Sequence, residues 1–292
     1  MSPRFKSGGW ALLKSVTRIT LGVLIGATLV LAMFEKHFIY YPSSAIDMTP
    51  KSQGLPFEEV FIGVEPGVKV HAWFIKAGTE PGFGTVLFSH GNAGNIADRI
   101  DRVLSLRPLG MDFLLYDYRG YGRSTGDLGE EGTYRDGRAV YDYLVQQRGV
   151  DPARLVLMGE SLGCAISVQL ALDRRAAGLI LEAPFASIAH MASAVYPFLP
   201  LGPFIRTRYD NLKKIPRLKM PLLVLQGTMD EVIPPVQGRM LFDAAPEPKR
   251  YVAVEGAHHN DVYVVGSVPY REALSDFIRR ATGAGPQSPP AP

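Results

Sequence analysis

Three hydrophobic patterns divide this chain. The first is an unbroken apolar run. From Ile19 to Phe34 there are 16 residues without a charge. At about 1.5 Å per residue a helix over this run spans roughly 24 Å, a little under the ~30 Å hydrocarbon core of a bilayer. Arg18 and Lys36 flank it and can snorkel, and Val16-Thr17 adds length. Phe38, Tyr40 and Tyr41 follow as an interfacial aromatic belt. The second pattern is a series of short apolar runs with strand character. Two of them, 58–64 and 68–76, form a hairpin turning at Glu65-Pro66-Gly67. Further strands are expected at 85–89, 112–118, 155–158, 178–182, 221–226 and 250–254. The third pattern is helical spacing, at 96–106, 134–147, 164–172, 236–244 and 270–281. Strands alternating with helices imply an α/β domain whose mostly parallel central sheet has helices on both faces. The leading hairpin supplies an antiparallel edge.

These patterns give an organisation. Residues 1–18 read as a loose basic N-terminus, 19–36 as a single-pass membrane anchor, and 37–56 as a linker. The α/β domain covers 57–281, and 282–292 reads as a disordered tail of small and polar residues. Residues 185–219 break the strand–helix alternation. Pro184 precedes them and prolines 197, 200, 203 and 216 punctuate them, with Met191, Tyr196, Phe198, Leu199 and Phe204 between. Such an insertion at the C-terminal end of a strand is placed either as a small lid over a site or as an irregular connection with a minor core.

Charge sharpens the reading of the N-terminus. The net charge is +3, but Arg4, Lys6, Lys14 and Arg18 carry it, and without them 27 basic residues face 28 acidic ones. A near-neutral domain argues against a nucleic-acid surface. The basic flank precedes the apolar run, so the N-terminus is expected to be cytoplasmic and the domain on the opposite side, periplasmic in a bacterium. The competing reading is a cleaved signal peptide, but Leu31-Ala32-Met33-Phe34 lacks a small-x-small cleavage pattern. Cys164 is the only cysteine, so neither an intramolecular disulfide nor a cysteine zinc site is expected. No His-Glu-x-x-His pattern is present, and no metal or other cofactor is implied.

The chemistry gathers around Gly159-Glu160-Ser161-Leu162-Gly163, between an expected strand and an expected helix. A Gly-x-Ser-x-Gly turn in that setting is a nucleophile elbow. The strand turns sharply into the helix, so bulk two residues either side of the serine cannot be accommodated. A serine needs a base at neutral pH. His258 and His259 follow the last strand, where that base belongs in the order Ser, acid, His. His258 has the alternative role of a loop residue near the mouth. Asp230, after the penultimate strand, is the expected acid, with Glu182 as runner-up. Glu231 points elsewhere from the same loop. The oxyanion hole needs two backbone N–H groups. Leu162 supplies one, and the loop His90-Gly91-Asn92-Ala93-Gly94-Asn95 supplies the other, from Asn92 or, failing it, Ala93. His90 braces this loop from within. Gly120-Tyr121-Gly122 with Gly126 is not a dinucleotide fingerprint, because Thr125 stands where a small residue is required.

With these residues in place, the chain resembles the membrane-anchored α/β-hydrolases related to α/β-hydrolase domain-containing protein thirteen and the bud-emergence-type proteins of yeast. The likeness rests on the loop 90–95, Tyr116-Asp117-Tyr118-Arg119-Gly120-Tyr121-Gly122, the serine turn, Asp230 with Ile233-Pro234-Pro235, and His259-Asn260-Asp261. It extends from about 19 to 281. The family's Gly-x-His-Asn-Asp pattern favours His259 as base. The resemblance implies a serine hydrolase acting on ester or thioester substrates, which the anchor and apolar insertion make acylated or lipid-like. Two other classes compete: an aminopeptidase-type amide hydrolase and a catalytically silent membrane-anchored scaffold. The sequence carries no sign of oligomeric state.

Overall fold

The computed structural model describes residues 7–78, 83–199 and 201–283. Arg4, Lys6, Pro200 and the tail from 284 onward lie outside the described residues.

An eight-stranded sheet orders the domain. In chain order its strands are β2 (Phe57–Glu65), β3 (Val68–Ile75), β4 (Thr85–Ser89), β6 (Asp112–Tyr116), β7 (Leu155–Glu160), β8 (Gly178–Glu182), β9 (Leu222–Gly227) and β10 (Lys249–Val254). The spatial order is β10-β9-β8-β7-β4-β6-β3-β2. The six strands from β10 to β6 are mutually parallel, and the β2–β3 hairpin adds the antiparallel edge. A separate parallel pair joins β1 (Tyr41–Pro42) to β5 (Ala93–Gly94).

The apolar runs are continuous because both faces of the sheet are covered. Leu155 and Leu157 face one core with Leu87, Leu179 and Val224. Val156 and Met158 face the other with Val86, Ile180 and Leu223. The first face carries α4 (Glu130–Asp142) and α5 (Leu162–Asp173); the second carries α3 (Ile100–Leu106) and α10 (Ser267–Thr282). Helix α5 is buried on nearly every side, which fits its lack of charge before Asp173. Replacing Leu157 by Ala in this packing costs about 2–5 kcal/mol.

Several boundaries differ from expectation for identifiable reasons. Helix α4 begins at Glu130, not 134, and Glu130 and Glu131 complement its N-terminal dipole. Its end widens into a π turn at Tyr143–Gln147. Strand β6 stops at Tyr116, and the next residue, Asp117, turns its carboxylate to the amide of Ile96. The insertion 185–219 holds two short helices, α6 (Ile188–Val195) and α7 (Asn211–Lys214). Helices α8 (Pro235–Ala244) and α9 (Val262–Val265) follow the insertion.

The N-terminal region is more ordered than its composition suggests. Helix α1 runs over Ser7–Met33, so its basic start is helical and not loose. A second helix, α2 (Glu35–Ile39), follows at once. Tyr40 does not belong to an interfacial belt: it is buried, and its hydroxyl meets that of Tyr209 at 2.9 Å. Burial there pushes the Tyr40 phenol well above its ordinary value. Phe38 and Tyr41 remain half exposed. The stretch read as a linker is bonded to the domain. Gly122 N–H donates to Ser43 O, and Asn95 Nδ2 donates to Ser43 O and Ala45 O.

Candidate active site

Strand β7 ends at Glu160, and α5 starts at Leu162, leaving Ser161 as the hinge. Its φ of 52° with ψ −116° is a strained conformation for a side-chain-bearing residue, costing about 1–3 kcal/mol. The surroundings enforce it. Ser161 N–H donates to Glu182 O at 2.9 Å, and Ser161 O accepts from Cys164 N–H at 3.0 Å. A side chain at Gly163 would place its Cβ 1.9 Å from Ser89 O, and one at Gly159 would lie 2.6 Å from Cys164 Cα. The two glycines therefore let the helix start touch the end of β4. That contact brings the loop after β4 beside the serine.

The three sidechains expected to work together are together. Ser161 Oγ lies 3.1 Å from His259 Nε2. His259 Nδ1 lies 2.9 Å from Asp230 Oδ2 and 3.1 Å from Oδ1. An ionised carboxylate only accepts, so Nδ1 carries the proton and Nε2 is left to accept from the serine hydroxyl. Asp230 is oriented in turn. Its Oδ1 accepts from Ile233 N–H at 2.8 Å and Val232 N–H at 3.0 Å, and its Oδ2 accepts from Gln226 Nε2 at 2.9 Å. All three residues are buried. The loops that carry acid and histidine are bonded to each other, with Met229 N–H donating to Ala257 O at 2.9 Å.

His258 points away from the serine. It is exposed and pairs with Glu231 at 2.9 Å. The hydrogen bond that His258 donates to the Glu231 carboxylate raises the His258 pKa. Glu182, the other candidate acid, does not touch His259. It is ion-paired with Arg102 and accepts from the Tyr270 hydroxyl.

Asn92, Leu162 and Ser161 line one cavity of about 420 Å³. Among the described residues no acceptor meets the N–H of Asn92 or of Leu162. Ala93 is exposed and not on the cavity wall. The loop holding Asn92 is braced from several sides. His90 is buried, its Nδ1 donates to Gly91 O at 2.7 Å, and its ring packs 4.4 Å from that of Tyr118. Tyr121 Oη donates to Asn92 O at 2.7 Å. Asn92 Nδ2 donates to Ile39 O at 3.1 Å, and Tyr41 N–H donates to Asn92 O at 3.0 Å. The chain leaving the N-terminal helices is thus part of the support.

Two buried ionic groups beneath the site escaped the sequence reading. Asp117 sits between His71 and His90 and accepts from Ile96 N–H, so one carboxylate holds both ends of the loop 90–96. Burial alone would raise its pKa; the two histidines and the Ile96 amide outweigh burial and hold it below the usual carboxylate range. Glu160, the variable residue before the serine, lies 3.3 Å from Arg99 and 3.8 Å from Arg102. Burial pushes it up, but the two guanidiniums prevail and keep its pKa low. The only trace of these groups in the sequence is their place inside quoted motifs, at position 117 and at the x of Gly-x-Ser.

Comparison with known proteins gives the same architecture. The family described as serine aminopeptidase, S33, matches residues 81–209. The α/β-hydrolase domain-containing protein WAV2 of Arabidopsis thaliana is 31% identical over 283 residues, covering 89% of this chain and 92% of that protein. An uncharacterized membrane protein of Saccharomyces cerevisiae is 31% identical over 283 residues, covering 91% of this chain and 98% of its own. Among solved structures, the esterase Pf2001 of Pyrococcus furiosus aligns with a TM-score of 0.69 over 84% of this chain and 98% of its own, at 19% identity, a likeness of fold. An α/β-hydrolase sheet, a serine elbow and relatives that span nearly the whole chain lead to one assignment: this chain belongs to the α/β-hydrolase family that includes WAV2 and the yeast membrane protein.

Proposed function

We propose that this chain is a serine hydrolase of carboxylic esters or thioesters. The observation that carries the reading is the unbroken Ser161–His259–Asp230 hydrogen-bond relay opening on an apolar cavity. Ser161 Oγ attacks the acyl carbon as His259 Nε2 takes its proton. The N–H groups of Asn92 and Leu162 face the oxyanion. His259 then gives the proton to the leaving alcohol or thiol, and water resolves the acyl-enzyme with His259 as base again. Asp230 holds the imidazole tautomer throughout. No step calls for a cofactor.

The domain sits at a membrane in this account. Leu12–Met33 is long and apolar enough to cross a bilayer, and the yeast relative is named a membrane protein. The basic N-terminal flank supports an orientation with the N-terminus in the cytoplasm and the site on the other side.

A second reading, amide hydrolysis of an amino-terminal residue, draws on the aminopeptidase description of the matching family. The Glu231 carboxylate reaches the cavity wall, where it would receive the amine. Glu231→Gln would then abolish aminoacyl-amide turnover while sparing esters.

Labelling of the full-length protein in membranes by a fluorophosphonate tests the first reading. Wild type is expected to label, and Ser161→Ala and His259→Ala are expected not to. A folded wild type that stays unlabelled refutes the working relay and leaves the scaffold.

A further inference from the structure

Part of the wall of the cavity beside Ser161 comes from outside the α/β domain. Leu31 of α1 lines it, with Phe38 and Ile39 of α2 and with Val195 and Tyr196 of the insertion. Helix α1 is exposed along most of its length, as a helix in lipid would be. One stripe departs from this. Leu24, Ala27, Thr28 and Leu31 are half-buried or buried, with Thr28 only 2% exposed. Their spacing of three and four residues puts them on one helix face, so the protein itself covers that face. The covered stripe from Leu24 to Leu31 therefore extends about 10 Å along the apolar span. Leu31 lies about 3 Å from the end of the same span.

The outside of the insertion matches such a depth. Phe198 is 87% exposed, and Phe204 and Val195 are also exposed. Arg206 and Arg208 follow at once on the exposed surface. Exposed apolar side chains beside arginines, whose long stems can snorkel, suit a bilayer surface. The insertion is also fastened to the foot of the anchor. The Glu35 carboxylate accepts from Arg206 N–H at 2.8 Å, Thr207 N–H at 3.1 Å and Thr207 Oγ1 at 2.9 Å. Anchor, insertion and serine loop form one bonded unit.

We propose that the cavity is loaded sideways from the bilayer by a single-chain fatty-acyl ester resident in the leaflet, with α1 as one wall of the acyl site. This rests on the serine-hydrolase reading above. The acyl chain slides between Leu31 and Val195, and its carbonyl reaches Ser161 without crossing water. A volume of 420 Å³ lies at the small end of ligand cavities, about 300–1,000 Å³, which suits one chain. Ser161 Oγ forms the new C–O bond, the ester C–O bond breaks, and the alcohol leaves with the proton from His259. Water then releases the fatty acid and restores the serine.

The test uses the full-length protein in phosphatidylcholine–phosphatidylglycerol vesicles. Two substrates are compared: vesicle-borne 4-methylumbelliferyl palmitate and water-soluble 4-nitrophenyl acetate. Phe198→Asp, outside the cavity wall, is expected to lower palmitate turnover roughly tenfold and leave acetate turnover unchanged, the effect of withdrawing apolar surface from the membrane. Leu31→Trp is expected to shift the preferred acyl length to shorter chains. Unchanged palmitate-to-acetate ratios in both variants, with acetate turnover still dependent on Ser161, would overturn lateral loading and leave the hydrolase reading intact. Loss of the Ser161 dependence for both esters would refute the hydrolase reading itself.

Discussion

Ser161 stands on one wall of the cavity with Asn92 and Leu162, backed by His259 and Asp230, and Leu31, Val195 and Tyr196 stand on another. The first wall is held by hydrogen bonds and backbone contact, down to a glycine that touches a carbonyl. The second is apolar side chain against side chain, and the Glu35 carboxylate fastens it. The difference assigns the tasks. Proton transfer tolerates little displacement, so its groups are fixed by directional bonds. Acyl recognition is a matter of apolar area and tolerates variation, so it is left to a soft wall.

The largest effect should follow from intruding on the rigid wall. Gly163→Ala drives a Cβ into Ser89 O, a backbone atom that cannot turn aside. Overpacking ordinarily costs about 1–3 kcal/mol, and this contact should exceed that range. Thermal unfolding of the membrane-reconstituted protein checks it; an unshifted melting temperature would show that the elbow is not close-packed.

Next comes the charge beneath that wall. Arg102→Met strips Glu182 of its ion pair and Glu160 of one of its two cations, all in buried surroundings. Breaking a buried pair in this way costs about 3–5 kcal/mol. The same melting experiment reads it. Restoring an apolar partner with Glu182→Leu in the same chain should recover part of the loss.

The smallest effect belongs to His258, at the rim. His258→Ala should leave ester turnover unchanged, since its partner is Glu231 and not Ser161. The sign of its pH dependence is fixed. Glu231 raises the folded pKa of His258, so the pair's contribution is full below the ordinary histidine value of about 6.5 and is lost as pH rises through the raised value. Both groups are exposed, so added salt should erase the difference between wild type and variant. A comparison of unfolding against pH at low and high salt checks this. A His258→Ala chain that loses turnover would move the base away from His259.

How much of this was legible depended on sequence distance. The sheet strands were legible because runs such as 155–158 are apolar throughout, a consequence of cover on both faces. The elbow was legible because steric need confines Gly159 and Gly163 to one residue type. The start of α4 was not, since Gly132 and Gly137 dilute the helical signal around Glu130 and Glu131. The Glu160–Arg102–Glu182 group was hidden because its partners are far apart in the chain and each charge alone reads as surface. Glu35 was hidden by its neighbours. A carboxylate just after an apolar run reads as a membrane flank, and only the fold shows the amides of Arg206 and Thr207 turned toward it.

The central claim is that Ser161 becomes acylated. The most direct measurement is intact-mass analysis of the full-length protein quenched during turnover of a slowly hydrolysed ester, followed by peptide mapping. The account predicts one acyl group per chain, carried on Ser161 and absent from Ser161→Ala. Turnover with no acyl adduct on Ser161, or with the adduct on another residue, would contradict it.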